Sequence, residues 1–454
     1  MSFLSINPAD GKLLKEFKTW HPEQLQAALA RTAVAAPEWA ATSIEIRADL
    51  IRQAASVLRS KRDQLARLIT LEMGKLIKES RAEVEKCAWV CEFYAEHGAE
   101  FLAEEVIATE AVKSYVSYEP LGTILAVMPW NFPFWQVFRF AAPALISGNT
   151  VLLKHAANVP QCAEAIEGIF REAGFPHGVF QNLPIEAAQV AEVIADPRVQ
   201  AVTLTGSERA GRAVAKQAGA HLKKTVLELG GSDAFIVLGD ADLDLTVANA
   251  VTARFLNAGQ SCIAAKRFLV VDSVADEFLH RLTDQVKALR PGDPQDEATT
   301  LAPLARPDLR DELHRQVTDS LAAGASAVTG CAPLPGPGTF YPASILDQVM
   351  PGMPAFEEEL FGPVAPIMRV RGEDEAIRMA NASRYGLGGS IWTRDVERGE
   401  RLARRLQCGL AFVNGVVKSD PRLPFGGVKS SGYGRELAQF GPREFVNIKT
   451  VWIR

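Results

Sequence analysis

Apolar residues in the first quarter of the chain recur at spacings of three and four. From about Pro22 to Glu105, stretches such as Leu25-Gln26-Ala27-Ala28-Leu29 and Arg47 to Leu71 gather them on one stripe, which predicts helix. The pattern then changes. Residues 113–128, KSYVSYEPLGTILAVM, are rich in β-branched and aromatic side chains and predict strand. Beyond them the two periods alternate. NTVLLKH (149–155) predicts a strand, QCAEAIEGIFREAG (161–174) a helix ending at glycine, and VQAVTLTG (199–206) a strand. SERAGRAVAKQAG (207–219) predicts a helix, and TVLELGG (225–231) and AFIVLG (234–239) are again strand-like. The alternation recurs from about 265 to 413, with a Pro/Gly-rich break at CAPLPGPGTFYP (331–342). Alternating strands and helices imply right-handed crossovers and a largely parallel sheet. The chain therefore reads as α/β, two such units with Cys262 early in the second.

Length and composition narrow this picture. A chain of 454 residues has room for two or three domains. Hydrophobic residues at 48% and charged ones at 23% are values of a soluble globular protein. A net charge of −5 leaves no electrostatic footprint for nucleic acid. No run of about 18 apolar residues occurs, so no membrane partner is expected. MSFLSINPADGK, at the N-terminus, lacks the basic and apolar regions of a secretory signal. Six cysteines without a C-x-x-C suggest reduced thiols and a cytoplasmic protein. Cys87 and Cys91, with His97 nearby, hint at a metal, but they share one helical stripe with Val84, Ala88 and Tyr94. Core packing is the expectation there, and no metal site is expected elsewhere.

Five short stretches carry candidate chemistry. No G-x-G-x-x-G follows any strand. Thr205-Gly206-Ser207-Glu208-Arg209-Ala210-Gly211 does lead from strand to helix, and its exposed N–H groups suit a pyrophosphate. A capped helix after a strand is also common without any ligand. Lys154, near the end of LLKH (152–155), reaches either a ribose or phosphate, or only solvent. In PWNFP (129–133), Asn131 is either a helix cap before Pro133 or a carboxamide donor to an oxyanion. Glu228 in LELGG (227–231) is a carboxylate in an apolar strand. It is either paired at a strand end or raised in pKa as a general base, and the two glycines favour close approach of another group. Cys262 follows Gly259-Gln260-Ser261, which is not a core-like run, and suits a nucleophile.

PWNFP, TGS-x-x-x-G, LELGG, GQSC, EEELFGPV (357–364) and PFGGVKSSGYGRE (424–436) occur in this order. With them the chain resembles the aldehyde dehydrogenase superfamily over essentially its whole length. MPWNFPFWQVFR, LLKHA-x-N and LELGGSD-x-FIVL resemble its bacterial NAD(P)-dependent succinate-semialdehyde dehydrogenases. The resemblance implies two Rossmann-type α/β domains plus a small β oligomerisation extension. NAD(P) binding falls to residues 1–112 and 121–228, catalysis to 229–436, and the extension to 113–120 and 437–454. It further implies a homodimer or homotetramer.

The same resemblance assigns roles. Cys262 attacks the aldehyde carbon, Asn131 and the Cys262 N–H hold the oxyanion, and Glu228 activates the water that hydrolyses the thioester. Trp130, Asn131, Lys154, His155, Ala156, Ala157, Gly206, Ser207, Gly211, Leu229, Gly230, Glu359 and Phe361 match cofactor-binding positions. Relatives that prefer NAD commonly carry glutamate where this chain has Ala157, so NADP is expected to be accepted alongside NAD. Arg139, eight residues after Asn131, and Ser419 match positions that hold the distal carboxylate of the substrate. A further arginine of some relatives falls at Leu256, and Arg422 is the candidate to replace it. The expected substrate is an aldehyde bearing a carboxylate, succinate semialdehyde first. Glutarate semialdehyde, a coenzyme-A-acylating variant and a non-catalytic NAD-binding protein are the alternatives.

Overall fold

The computed structural model describes residues 2–454. The helical quarter resolves into four helices, Pro22–Ala41, Ile44–Ser60, Arg62–Met73 and Ile77–Phe101. Pro22 occupies a first-turn position, where its missing N–H costs nothing, and the Ser43 side chain accepts from the Ile46 N–H to start the second helix. Cys87 and Cys91 are fully buried on Ile77–Phe101 among Val84, Ala88, Val90 and Tyr94, as core residues. Ahead of these helices, Ser2–Ile6 pairs antiparallel with Leu13–Lys18. The residue pattern did not predict this hairpin, because only Phe17 of LLKEFK is buried and no alternation results.

Two sheets carry the alternating part. The first runs in the order Gly432–Tyr433, Lys224–Glu228, Val199–Thr205, Thr123–Met128, Thr150–His155, Phe180–Asn182. All its neighbours are parallel except the short Gly432–Tyr433, which sets Gly432 opposite Glu228. The second has the order Ser326–Thr329, Ser344–Asp347, Val364–Val370, Ala265–Val271, Asp233–Val237, Gly388–Trp392, Leu410–Val413. It is parallel but for its first pair. Strands covered on both faces bury nearly every side chain, and Thr123–Met128 and Asp233–Val237 do so. In the first sheet the chain moves one way from Thr123–Met128 and then returns to its other side at Val199–Thr205. Such a reversal opens a crevice at the carboxyl ends of the strands, the general place for ligands in open α/β sheets.

A third sheet joins Val446–Ile453, Lys113–Pro120 and Glu105–Val106, all antiparallel. Val446–Ile453 pairs along its full length, leaves its other edge open, and exposes Ile448, Trp452 and Ile453. Among the described residues no helix is long and apolar enough to cross a membrane.

Candidate active site

Cys262 lies on a short loop between the helix Leu243–Phe255 and the strand Ala265–Val271. The approach to it is unusual. Asn257, Ala258 and Gly259 take φ values of 53°, 52° and 73° in succession, a left-handed run that costs side-chain-bearing residues of order 1–3 kcal/mol each. Buried hydrogen bonds hold it. The Gln260 amide donates to the Asn257 carbonyl (3.1 Å) and accepts from the Ala305 N–H (2.9 Å). The fully buried Arg254 guanidinium donates to the carbonyls of Ala265 (3.0 Å), Leu360 (2.8 Å) and Gly362. Lys266, also buried, donates to the carbonyls of both Ser261 and Cys262 at 2.7 Å, and lies 3.2 Å from a Glu359 carboxylate oxygen. The loop is thus fixed independently of any ligand.

Asn131 is tied to the same loop and does not cap a helix. The helix Trp135–Ile146 is instead capped by Glu83, whose carboxylate accepts from the N–H groups of Phe134 (2.8 Å) and Trp135 (3.0 Å) and is ion-paired with Lys75. The Asn131 Nδ2 donates to the Gln260 carbonyl (3.0 Å), and its Oδ1 accepts from Gln136 (3.1 Å). A carboxamide nitrogen carries two hydrogens, so one remains to be donated. Among the described residues the Cys262 N–H likewise has no hydrogen-bond partner. Two free donors therefore flank the loop that bears the thiol.

Glu228 ends the strand Lys224–Glu228, and neither carboxylate oxygen has a hydrogen-bond partner among the described residues. Burial raises its pKa far above the ordinary carboxyl value of 4.5, the neighbouring Glu436 charge adds to this, and Arg139 opposes it. The glycines after it allow the approach that the sequence suggested. A Cβ on Gly231 would stand 2.6 Å from the Cys262 carbonyl oxygen, and one on Gly230 would stand 2.3 Å from the Glu359 carboxylate. The first, against backbone, is a contact that only glycine tolerates, while the second would require the Glu359 side chain to shift. Charges on Glu228, Glu359, Arg139 and Lys266 all act on the Cys262 thiol. Burial dominates and pushes that thiol up to about 12, with Arg139 and Lys266 pulling it down. The resting sulfur is therefore a thiol and not a thiolate.

A cavity of about 500 Å³ opens over Cys262. Phe132, Trp135 and Phe425 wall it, and Arg139, Ser419, Lys86, Lys75, Glu79 and Leu256 line it as well. Arg139 and Ser419 therefore share one chamber with the thiol. Arg139 is already committed: its Nε is ion-paired with the buried Glu436, its Nη2 donates to Thr205 (3.3 Å), and its guanidinium stacks 4.4 Å above Phe425. Arg422, the candidate to replace the missing arginine, does not line this chamber. It pairs with Asp420 (2.7 Å) and its side chain is 68% exposed.

The cofactor-matching residues cluster at the carboxyl ends of the first sheet and their neighbours. Gly206 leaves Val199–Thr205, and Ser207 accepts from the Ala210 N–H (3.3 Å) to start the helix Glu208–Ala220. Leu229 packs over Gly211 on that helix. Trp130 meets Phe361 edge to face at 5.8 Å between centroids. Glu359, besides its Lys266 contact, accepts from the Gly231 N–H (3.0 Å). Lys154 is buried, and among the described residues no carboxylate lies within ion-pair distance, so desolvation lowers its pKa. Ala156 is half-buried and Ala157 exposed. His155 is used internally: its ring accepts from the Ala156 N–H (2.8 Å) at Nδ1 and donates to the Pro133 carbonyl (2.9 Å) at Nε2, bracing the PWNFP turn. Burial brings its pKa down to about 4, so it stays neutral. An unpaired lysine, free helix N–H groups and the buried, unpartnered Asn158 carboxamide fit a dinucleotide phosphate and ribose.

Sequence reasoning missed Lys86, Gln136, Lys266 and Asn158 as residues of this region. Glu436 and Asn158 lay in quoted motifs without a role, whereas Lys86 on a helix has no local mark of burial.

Comparisons with known proteins show likeness along the whole chain. The model of the aldehyde dehydrogenase family matches residues 1–451. A Synechocystis protein named probable succinate-semialdehyde dehydrogenase, NADP(+), is 52% identical over 453 residues, covering 100% of both chains. The Escherichia coli succinate semialdehyde dehydrogenase Sad, NAD(P)+, is 48% identical over 449 residues, 99% of this chain and 97% of its own. The crystal structure of succinic semialdehyde dehydrogenase from Streptococcus pyogenes with NADP+ superimposes with a TM-score of 0.98 at 41% identity, covering 99% of each chain. A thiol on a braced loop, a buried unpartnered carboxylate and a dinucleotide crevice are thus accompanied by full-length likeness in sequence and fold, and the chain belongs to the aldehyde dehydrogenase family.

Proposed function

We propose that the protein oxidises an aldehyde to a carboxylic acid with NADP or NAD, with succinate semialdehyde as its substrate. The observation that carries this is the Glu228 carboxylate, buried without a hydrogen-bond partner three residues before Gly231, which packs against the Cys262 carbonyl, with the thiol itself lining the cavity. An unpaired buried carboxylate is too costly to keep for stability alone and suits a general base. Cys262 Sγ adds to the aldehyde carbon as its proton passes to solvent water, and the new oxyanion is received by Asn131 Nδ2 and the Cys262 N–H. The nicotinamide cofactor, when bound, accepts the hydride that the reaction removes. Glu228 then takes a proton from water as the water attacks the thioester, and Sγ leaves and regains that proton as the acid is released.

Lys154, the Ser207 helix start, Asn158, Trp130, Leu229, Glu359 and Phe361 would hold the cofactor, with His155 acting through the PWNFP turn. Ala157 presents no carboxylate to a 2′-phosphate, and the relatives' names specify NADP(+) or NAD(P)+. In this reading residues 1–112 and 121–228 form the cofactor domain and 229–436 the catalytic domain. Residues 113–120 and 437–454 extend to a second copy, through the open edge of Val446–Ile453, in a homodimer or homotetramer of the cytoplasm.

A panel of C3 to C6 semialdehydes against plain and aromatic aldehydes, run with each cofactor, tests the assignment. Succinate semialdehyde should give the highest kcat/KM, and NADP should be used at a rate comparable to or above NAD. Equal kcat/KM for succinate semialdehyde and butanal, or strict use of NAD, would remove the corresponding part. Asn131→Ala should lower kcat by about 10²–10³, the loss seen when one oxyanion donor is deleted. An unchanged kcat would take Asn131 out of the mechanism.

A further inference from the structure

The chamber over Cys262 holds several basic side chains, and they differ in whether their charge is already balanced. Lys75 is ion-paired with Glu83 and stacks over Phe132 at 3.7 Å. Arg139 is ion-paired with Glu436. Lys78 and Lys418 also line the chamber without an ion pair among the described residues, but both are exposed to solvent. Lys86, half-buried, is the contrast. It lines the chamber, and its Nζ donates to the Ser419 hydroxyl at 2.7 Å and sits 4.2 Å from the Trp135 ring centroid. Among the described residues no carboxylate comes within ion-pair distance of it.

We propose that Lys86 is the ionic anchor for the distal carboxylate of the substrate, acting with the Ser419 hydroxyl, while Arg139 is held balanced by Glu436. This deepens the semialdehyde reading given above and rests on it. An ammonium taken from water without a counter-ion is unfavourable, and an arriving carboxylate supplies that missing charge. Burial, with the Arg139 charge beside it, lowers the Lys86 pKa to about 8, the sign of a cation short of a partner. Ser419 completes the pair, since its hydroxyl accepts from Nζ and keeps its own hydrogen to donate to a carboxylate oxygen. Phe132, Trp135 and Phe425 leave an apolar path for a short methylene chain between this anchor and Cys262.

Lys86 was not visible as a binding residue because a lysine on an amphipathic helix reads as solvated. Lys86 and Glu79 are seven residues apart on Ile77–Phe101, two turns on one face, and both line the chamber. Glu79 accepts from the Asn257 N–H (3.2 Å), and burial raises its pKa to about 7. The face thus carries a cation at one end and a readily protonated carboxyl towards the nucleophile loop. Of the chamber's cations among the described residues, Lys86 is therefore the one both withdrawn from solvent and without a carboxylate partner.

The test compares kcat/KM for succinate semialdehyde with that for butanal, its analogue without the acid, in the full-length protein. The ratio of the two should fall roughly 10- to 100-fold in Lys86→Met, the loss of one charge-assisted pair, through KM for the semialdehyde more than kcat. Lys86→Arg, which keeps the charge, should recover most of the ratio. If both substrates fall by the same factor in Lys86→Met, the lysine is structural and the proposal is overturned. It is also overturned if the ratio survives Lys86→Met and Lys86→Arg unchanged, although a wild-type ratio well above one would leave the semialdehyde reading intact. A wild-type ratio near one would overturn both.

Discussion

Cys262→Ala is expected to abolish aldehyde oxidation, with kcat lowered by about 10⁶ or to the detection limit. Loss of a covalent nucleophile from a cooperating set removes as much rate as loss of the whole set. The case is sharper here because nothing stands in for the sulfur. The other cysteines lie elsewhere, with Cys87, Cys91, Cys162 and Cys331 buried in the core. The substitution also isolates chemistry from folding. The loop from Asn257 to Ala265 is held by Gln260 at Asn257, Lys266 at Ser261 and Cys262 and Arg254 at Ala265, none of which bonds to the sulfur. The Tm should therefore change little, and iodoacetamide labelling at this position should vanish. Residual steady-state oxidation by Cys262→Ala above about one thousandth of wild type would remove the thioester route.

Glu228→Gln is expected to separate the two halves of the reaction. Acyl-enzyme formation should yield one equivalent of reduced cofactor in a rapid burst. The steady state that follows should fall by about 10²–10⁴, the worth of a positioned general base. A wild-type steady state in this variant would refute the hydrolytic role. In the wild type the rate of hydrolysis should rise with pH, because only the ionised carboxylate accepts a proton and the raised pKa moves ionisation well above 4.5. Stability should move the other way. A carboxyl whose folded pKa lies above its unfolded value keeps a proton that the unfolded chain has released. Its contribution to stability is therefore lost as pH rises between those two values. Glu228→Gln removes that loss, so its Tm should equal or exceed the wild-type Tm, with a gap that widens as pH rises through that window. A Tm well below wild type at alkaline pH would mean that the carboxylate is a structural element.

The elements most legible in the sequence were those whose period comes from their own residues. NTVLLKH and VQAVTLTG became the strands Thr150–His155 and Val199–Thr205, and SERAGRAVAKQAG became the helix Glu208–Ala220. The hairpin Ser2–Ile6 with Leu13–Lys18 was not legible, since an exposed pair has no buried face to impose alternation. Asn131 shows the limit of local reading at the site. PWNFP was equally compatible with a cap and with a free carboxamide, and Glu83, from a distant helix, took the capping position.

The order of motifs along the chain determined the family and the α/β architecture, and it singled out the candidate thiol, carboxamide and carboxylate. These follow from backbone conformations and side-chain chemistry that near neighbours in sequence dictate. Which charges are balanced was decided only by the tertiary structure. Arg139 meets Glu436 and Lys75 meets Glu83, while Lys86 faces the chamber without a carboxylate. The reason is that an ion's free energy depends on the water it loses and the opposite charge it meets through space. Both are set by how distant segments pack, which no local pattern records.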